Sequence, residues 1–258
     1  MQTRRTFLTT LACGSAFALA ACGGSKDAAS DDAAAADAAA TTLSDDDARA
    51  KGDGVMDFAA YTAAELESEV VIEAFVQGKQ SWWENAATLY LQDADGGYFA
   101  YNAACSEEDY GKLVEGQKVK LEGYKANFEG EIEIVDANVV IEDGNFIAEP
   151  TDVTDLLGSD DLINYQNYKV SYTGLEIAAS DNGEAFAYKG DAAGDDIYFK
   201  AKLGDDVYDF TIEAYLTDAE SDVYKTVESL KVGDVVDMVG FLYWYQGANP
   251  HITSVTVK

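Results

Sequence analysis

The chain of 258 residues carries 48 acidic and 17 basic residues, a formal net charge of -31, and 48% of its residues are hydrophobic. That length and hydrophobic content suffice for one sizeable core or two small ones. The negative field repels phosphate backbones, which disfavours nucleic acid as a partner, and three Cys with one His leave little material for a Cys/His metal site.

The chain begins with MQTRRTFLTTLACGSAFALAACGG, which places Arg4 and Arg5 before an apolar stretch that ends at Ala21. The stretch is too short and too rich in small residues to be a stable membrane span. A basic start followed by a short apolar segment is typical of an export signal, so residues 1–21 are predicted to be a signal peptide.

Two patterns in this segment resemble known export signals. The run Leu19-Ala20-Ala21-Cys22 resembles the lipobox of bacterial lipoproteins, in which the peptide is cut before the Cys and the sulfur receives a diacylglycerol. The resemblance implies a lipid anchor at Cys22 and a place on the outer face of the bacterial cytoplasmic membrane or on the cell surface. An ordinary signal peptide with a chance Cys is the alternative. TRRTFL resembles the twin-arginine export motif, but Thr9 stands where Lys is common, so the general secretory route stays open as well.

From residue 22 to residue 55 the chain is Ala, Asp, Ser and Thr with almost no large apolar side chain. Such a segment has nothing to pack, so it is predicted to be a disordered tether. With Cys13 in the signal peptide and Cys22 lipidated, Cys105 has no disulfide partner and is interpreted as a small buried hydrophobe.

The folded part is predicted to begin at residue 56 with a helical turn, because Thr62 and Glu65 have capping-box spacing. Period-two alternation dominates the rest, in the runs KVKLEGY, EIEIV and YDFTIEAYL. In EIEIV the isoleucines alternate with Glu131 and Glu133. The segments DADGG, SDNGE and LGDD mark turns, and the chain is therefore predicted to be mainly β.

Two stretches align without gaps at an offset of 117 residues, LVEGQKVKLEGYKANFEG with LKVGDVVDMVGFLYWYQG, so that Leu113 meets Leu230. Each follows a predicted helix, the first starting at Ser106 and the second at Thr217. The order of three strands, a helix and two strands therefore occurs twice.

That order is the one expected of the OB fold, a five-stranded Greek-key barrel with a helix between its third and fourth strands. The chain resembles the tandem OB-fold modules of exported bacterial lipoproteins, most of which lack an assigned activity. The resemblance is carried by IEAFVQGKQSWW, LYLQDADGGYFAYN, EGQKVKLEGY and EGEIEIVDA in the first unit and by KVGDVVDMVGF and NPHITSVTV in the second. It implies two OB-like barrels over residues 56–148 and 149–258, the second with an extra hairpin.

All three tryptophans fall in loops that border the ligand face of an OB fold. GKQSWWENA is predicted to join strands one and two of the first unit, and YWYQGANP to join strands four and five of the second. Successive strand residues point to opposite faces, so one of the two adjacent tryptophans is expected to cover the barrel end and the other to be a stacking platform. The alternative is that the aromatic residues close barrel ends or join the two modules. The predicted ligand-binding residues are Trp82, Trp83, Glu84, Asn127, Tyr243, Trp244, Tyr245 and Gln246.

No catalytic residue, cofactor or metal site is predicted, because the sequence has no phosphate loop, nucleophile elbow or metalloprotease helix. DADGG lacks the spacing of an EF-hand and is interpreted as a hairpin turn. His251 is expected to make a local hydrogen bond rather than to bind metal.

The predicted function is a non-enzymatic, lipid-anchored surface binding module whose aromatic loops contact a glycan or a cell-wall polymer. Flat rings beside amides and carboxylates suit a sugar ring, whose CH face stacks while its hydroxyls accept and donate hydrogen bonds. One alternative is a structural or adaptor lipoprotein that binds a protein partner. Another is an accessory nucleic-acid module, which the charge disfavours.

Overall fold

The structure is a computed structural model that describes residues 42–190 and 192–258. The predicted signal peptide, the lipidation site Cys22 and most of the predicted tether lie outside the described residues. Within the described part of the chain, no helix is long and apolar enough to cross a bilayer.

The first elements form a closed five-stranded barrel, which we name barrel 1. They are α1 (Asp45–Arg49), α2 (Phe58–Ala63), β1 (Glu69–Lys79), β2 (Ala86–Gln92), β3 (Gly97–Ala104), α3 (Glu107–Lys112), β4 (Gln117–Phe128) and β5 (Glu131–Asn145). The strands pair in the order β1-β2-β3-β5-β4, and β4 closes the barrel by pairing with β1. All pairs are antiparallel except β3 with β5, which is the strand order of an OB fold.

The later elements form a second barrel, barrel 2. They are β6 (Thr151–Asp152), two 3-10 helices (Thr154–Leu156 and Asp160–Tyr165), β7 (Lys169–Ala178), β8 (Phe186–Tyr188), β9 (Ile197–Leu203), β10 (Asp206–Ile212), α4 (Ala214–Thr217), α5 (Asp222–Ser229), β11 (Val235–Phe241) and β12 (His251–Val257). Strands β7, β9, β10, β12 and β11 repeat the order of barrel 1, closed by pairing of β11 with β7. The short strands β6 and β8 add to β7 and β9. The predicted fold class, mainly β with two OB-like barrels and helices between strands three and four, is confirmed.

One glycine that the two aligned stretches share is required because a Cβ at its position would clash. A Cβ at Gly123 of β4 would lie 2.7 Å from the carbonyl oxygen of Val135 in β5. A Cβ at Gly240 of β11 would collide with the carbonyl oxygen of His251 in β12. In both barrels strands four and five change register at this point, and only glycine lets the backbones approach so closely.

Of the three helix starts that capping patterns predict, the structure confirms one. Ser106 caps α3 as predicted. The starts predicted at Thr62 and Thr217 are wrong, because Asp57 caps α2 and Ser221 caps α5. Several residues able to cap a helix stand near each start, and burial of the apolar helix face decides among them.

Composition predicts that residues 43–55 belong to the tether, and over this range the prediction is wrong. Ala48 is buried in a small cluster with Phe75 of barrel 1. The ammonium of Lys51 lies 2.6 Å from the carboxylate of Asp93, in an ion pair almost removed from solvent. One small apolar residue and one buried cation thus order a segment whose composition alone predicts disorder.

Barrel 2 covers the outer face of β2 and β3. The ring of Tyr90 stacks on that of Phe241 with 4.5 Å between centroids, and Phe99 meets Tyr243 edge-on at 5.2 Å. These side chains form a hydrophobic cluster separate from both barrel cores. In an OB fold this face binds the ligand. Here the second barrel closes the face, and both barrels belong to one compact unit.

The same packing changes the environment of β5. Its period-two pattern places Glu131 and Glu133 on the face opposite the isoleucines. Both are buried there, and Glu131 is 0% exposed. Gln166 and Trp244 of barrel 2 bond directly to the Glu131 carboxyl group.

Candidate functional site

The two adjacent tryptophans lie at the tip of the β1–β2 hairpin. Trp83 and Ala86 exchange backbone hydrogen bonds around Glu84 and Asn85, whose φ values of 50° and 63° make a tight two-residue turn. Trp82 is half-buried, and its indole N–H donates to the carbonyl oxygen of Cys105 at 3.0 Å. Trp83 is 71% exposed. One ring of the pair is thus half-buried and the other exposed, while the covering and stacking roles stay predictions.

The loop that joins strands four and five of barrel 2 lies against the corresponding turn of barrel 1. The backbone N–H of Gln246 donates to the carbonyl oxygen of Glu129 at 2.7 Å, and its amide bonds to the Glu129 carboxylate at 3.1 Å. The Asn127 side chain accepts from the N–H of Gly130 and so holds the barrel 1 turn. Tyr245, which is 47% exposed, lies beside an exposed Phe128. The structure therefore brings Asn127, Tyr245 and Gln246 together. The β1–β2 hairpin, which carries Trp82 and Trp83, makes its hydrogen bonds with other segments.

Tyr243 joins the two barrels, as the alternative interpretation of the aromatic residues expects. Its ring stacks on His251 with 4.5 Å between centroids. His251 Nδ1 lies 2.7 Å from the hydroxyl of Tyr90, which stands 161 positions away. The expected local hydrogen bond of His251 is thus replaced by one across the interface.

Burial sets the protonation of the groups at this interface. It lowers the pKa of His251 to about 3 and raises the pKa of Glu131 to about 8. It also raises the pKa of Glu133 and that of Tyr243. All four groups therefore favour their uncharged forms more than they would in water.

Trp244 is fixed by residues of barrel 1. Its backbone N–H donates to the carboxyl group of Glu131 at 2.7 Å. Its ring packs on Gly130, where a Cβ would lie 2.8 Å from Cδ1. The φ of Gly130 is +103°, a value that favours glycine. The β4–β5 turn of barrel 1 therefore sets the position of the Trp244 ring.

The same ring lines a cleft of ≈ 550 Å³ on barrel 2, which we name the Trp244 cleft. The cleft lies between the 3-10 helices, β10 and the β11–β12 loop. It is lined by Leu157, Gly158, Ser159, Asp160, Leu162, Ile163, Val207, Tyr208, Asp209, Trp244, Ala248 and Pro250.

The chemistry of the Trp244 cleft combines aromatic and aliphatic walls with a few oxygen atoms. Tyr208 adds a second ring, and its hydroxyl donates to the carbonyl oxygen of Leu157 at 3.2 Å. Asp160 and Asp209 supply carboxylates, and no Lys or Arg is among the lining residues. Lys200 lies beside the cleft but pairs with Asp209 at 3.6 Å. Among the described residues, none accepts a hydrogen bond from the indole N–H of Trp244.

The DADGG segment is a hairpin turn, as predicted. The Asp93 carboxylate accepts from the N–H groups of Asp95 and Gly96, from the Tyr98 hydroxyl and from Lys51. Protein donors therefore occupy both of its oxygens. In the described part of the chain, no group of three His, Cys, Asp or Glu side chains is placed to hold a metal ion.

Sequence reasoning missed the residues that complete the Trp244 cleft. Asp160 belongs to a segment before β7 that has no counterpart in the repeat, and Asp209 and Tyr208 alternate along a strand like any other pair. Glu131 sits in a regular β pattern. No local signal distinguishes these residues, because the cleft forms only where three distant segments meet.

No family model matches this chain, and no curated protein matches it either. Among solved structures it is similar to the p204 HINb domain, with 9% identity, a TM-score of 0.35 and coverage of 76% of this chain and 100% of that one. It is similar to a murine DNA binding protein solved with double-stranded DNA, with 9% identity, a TM-score of 0.35 and coverage of 73% and 94%. The single-stranded DNA binding protein of Thermus aquaticus gives 11% identity, a TM-score of 0.24 and coverage of 75% and 94%. These overlaps are low, and the OB topology of this chain rests on its own strand pairing.

Proposed function

We propose that this protein is a lipid-anchored surface binding module that holds an uncharged, hydroxyl-rich polymer, a glycan, in the Trp244 cleft. The observation that carries the proposal is the position of Trp244. Its ring lines a cleft of ≈ 550 Å³ together with Tyr208 and carboxylates, and no cation lines that cleft.

The chemistry of the cleft supports a sugar ring over a phosphate-bearing ligand. The electron-rich face of an indole ring attracts the polarised CH groups of a sugar, and carboxylates accept from its hydroxyls. Asp160 and Asp209 repel a phosphodiester, and the net charge of -31 acts in the same direction. The face of barrel 1 that would stack nucleobases in an OB fold is closed by Phe241 and Tyr243.

Binding is tested by isothermal titration of the full chain with chitotetraose, cellotetraose and oligo(dT). We expect one of the glycans to bind, and Trp244→Ala to weaken that binding about tenfold or more, since a stacked ring contributes on the order of 1–3 kcal/mol. Trp83→Ala, which removes an exposed indole outside the cleft, is the matched control and should leave the affinity unchanged. Binding of oligo(dT) alone, or a loss confined to Trp83→Ala, would contradict the proposal.

The adaptor alternative has one specific observation in its favour. Phe128 and Tyr245 are 51% and 47% exposed, with 6.0 Å between their rings. Adjacent exposed rings are typical of protein contacts. If this alternative holds, replacing Phe128 and Tyr245 by Ser abolishes cross-linking of the chain to a surface protein on intact cells and leaves glycan binding unchanged.

The anchor is tested separately. With the lipid on Cys22, the chain stays in the membrane fraction, and Cys22→Ser is expected to release it. Cys105→Ser is the control, because Cys105 is buried in barrel 1. Equal membrane retention of the wild-type chain and Cys22→Ser would rule out the anchor.

A further inference from the structure

A carboxyl group at the junction of the two barrels holds the loop that carries Trp244. Glu131 is the first residue of β5, and its Oε2 accepts from the Trp244 N–H at 2.7 Å and from the Gln166 amide at 3.2 Å. The same amide nitrogen donates to the carbonyl oxygen of Gly130 at 2.9 Å. Glu131 thus connects the β4–β5 turn, the segment before β7 and the β11–β12 loop.

Two buried oxygens in this group have no hydrogen-bond partner among the described residues, Glu131 Oε1 and Asn167 Oδ1. The amide nitrogen of Asn167 donates to the carbonyl oxygen of Ile132 at 2.9 Å. An ionised Glu131 would bury a charge whose Oε1 makes no hydrogen bond to the described residues, whereas a proton on that oxygen removes the charge.

The surroundings favour that proton. The titratable groups that face Glu131 are Glu133 on its own strand, Tyr61 from α2, Tyr90 from β2 and Tyr243 from the β11–β12 loop. No Lys, Arg or His in the described part of the chain forms an ion pair with Glu131. Burial raises the pKa of Glu131 to about 8, against the lowering effects of hydrogen bonds from the Trp244 N–H, Asn167 and Gln166. An unpaired carboxylate at this place would be costly.

We infer that Glu131 is a positioning residue of the Trp244 cleft, which it holds in the binding geometry while its carboxyl group is protonated. Loss of the proton places an unpaired charge between the barrels and displaces the β11–β12 loop that bears Trp244. The cleft therefore opens or distorts in mildly alkaline solution. The consequence for ligand affinity rests on the proposed function, but the movement of Trp244 does not.

The test follows Trp244 without any ligand. Replacing Trp82 and Trp83 by Phe leaves Trp244 as the only tryptophan of the chain. In this background we expect the emission maximum and near-UV circular dichroism to change between pH 6 and pH 9.5, with a midpoint near the pKa of about 8. Glu131→Gln should abolish the change and keep the pH 7 spectrum, because its amide carries no charge and its oxygen can accept from Trp244 at every pH.

Glu129→Gln is the matched control, since Glu129 is an exposed neighbour bonded to Gln246, and it should keep the wild-type midpoint. A second variant, Asn167→Ala, removes a hydrogen bond that lowers the pKa of Glu131 and should move the midpoint to higher pH. A titration that persists unchanged in Glu131→Gln would overturn the inference. So would a midpoint that Asn167→Ala leaves unchanged, since the titrating group would then not be the Glu131 carboxyl group.

The same variants separate this inference from the proposed function. If chitotetraose or cellotetraose binds, we expect the affinity to fall about tenfold between pH 7 and pH 9 in the wild-type chain and to stay constant in Glu131→Gln. A Trp244 titration that depends on Glu131 without any glycan binding supports the positioning role and refutes only the choice of ligand. Glycan binding that is pH-independent in the wild-type chain refutes the positioning role alone.

Discussion

Replacing Phe241 by Ala removes a buried ring from the hydrophobic cluster between the barrels. Phe241 is 3% exposed, stacks on Tyr90 at 4.5 Å and packs against Gly78. Truncating a buried Phe costs about 3–5 kcal/mol, and losing a stacked partner adds about 1 kcal/mol. Because Phe241 lies outside both barrel cores, this loss falls on the coupling between the barrels.

The assay is urea unfolding of the full chain, followed by far-UV circular dichroism and by tryptophan emission. In the wild-type chain we expect one transition, with both probes coincident, because the covered face ties the barrels together. In Phe241→Ala we expect two separated transitions, since each barrel then unfolds by itself. Phe199→Ala removes a ring of equal size from the core of barrel 2. It leaves the contact between the barrels intact, so it should shift the unfolding transition without dividing it into two.

A single transition with an unchanged midpoint in Phe241→Ala would refute this reasoning. It would mean that the Tyr90–Phe241 cluster contributes little to holding the barrels together. Non-coincident probes already in the wild-type chain would refute it as well, because the barrels would then unfold independently.

Three further predictions concern single buried groups. Lys51→Met should lower the free energy of unfolding by about 3–5 kcal/mol, because it leaves the carboxylate of Asp93 buried without its cation. Gly130→Ala should cost about 1–3 kcal/mol for its positive φ and, by pushing on Trp244, should also weaken ligand binding. Folding lowers the pKa of His251 to about 3. Between pH 6.5 and pH 3 the unfolded chain therefore binds a proton at His251 that the folded chain does not bind. Stability falls as the pH drops through this range. In His251→Asn that loss, up to about 1.4 kcal/mol per pH unit, should disappear from the urea titrations.

Each of these has a control within the chain. Arg49→Met breaks only two exposed ion pairs, with Asp46 and Asp95, and should change stability by less than about 1 kcal/mol. Gly233 has a φ of +96° and nothing within 4 Å of an added Cβ, so Gly233→Ala should share the backbone cost but leave ligand binding intact. Equal losses of stability in Lys51→Met and Arg49→Met would contradict the first prediction. Equal ligand affinities of Gly130→Ala and Gly233→Ala would contradict the second. An acid slope as steep in His251→Asn as in the wild-type chain would contradict the third.

Local sequence patterns sufficed to predict the strands and their order along the chain. Alternation in β4 places Val119 and Leu121 in the barrel core, and the repeat at Gly123 and Gly240 marks the same close backbone approach in both barrels. The position of Trp82 and Trp83 between the first two strands was also predictable. These features depend on neighbours along the chain or on one strand partner, so period and turn chemistry encode them.

Only the tertiary structure decided which outward-facing side chains of the barrels are buried. Glu131 alternates like any solvent-facing residue, yet it is fully buried, and His251 bonds to Tyr90 across 161 positions. Residues 43–55 are ordered by Ala48 and Lys51 against barrel 1 although their composition predicts a tether. A strand's periodicity states which side chains face its own barrel, but it carries no information about a second body packed on the other side. The Trp244 cleft forms where three distant segments of barrel 2 meet, and so its residues have no local signature.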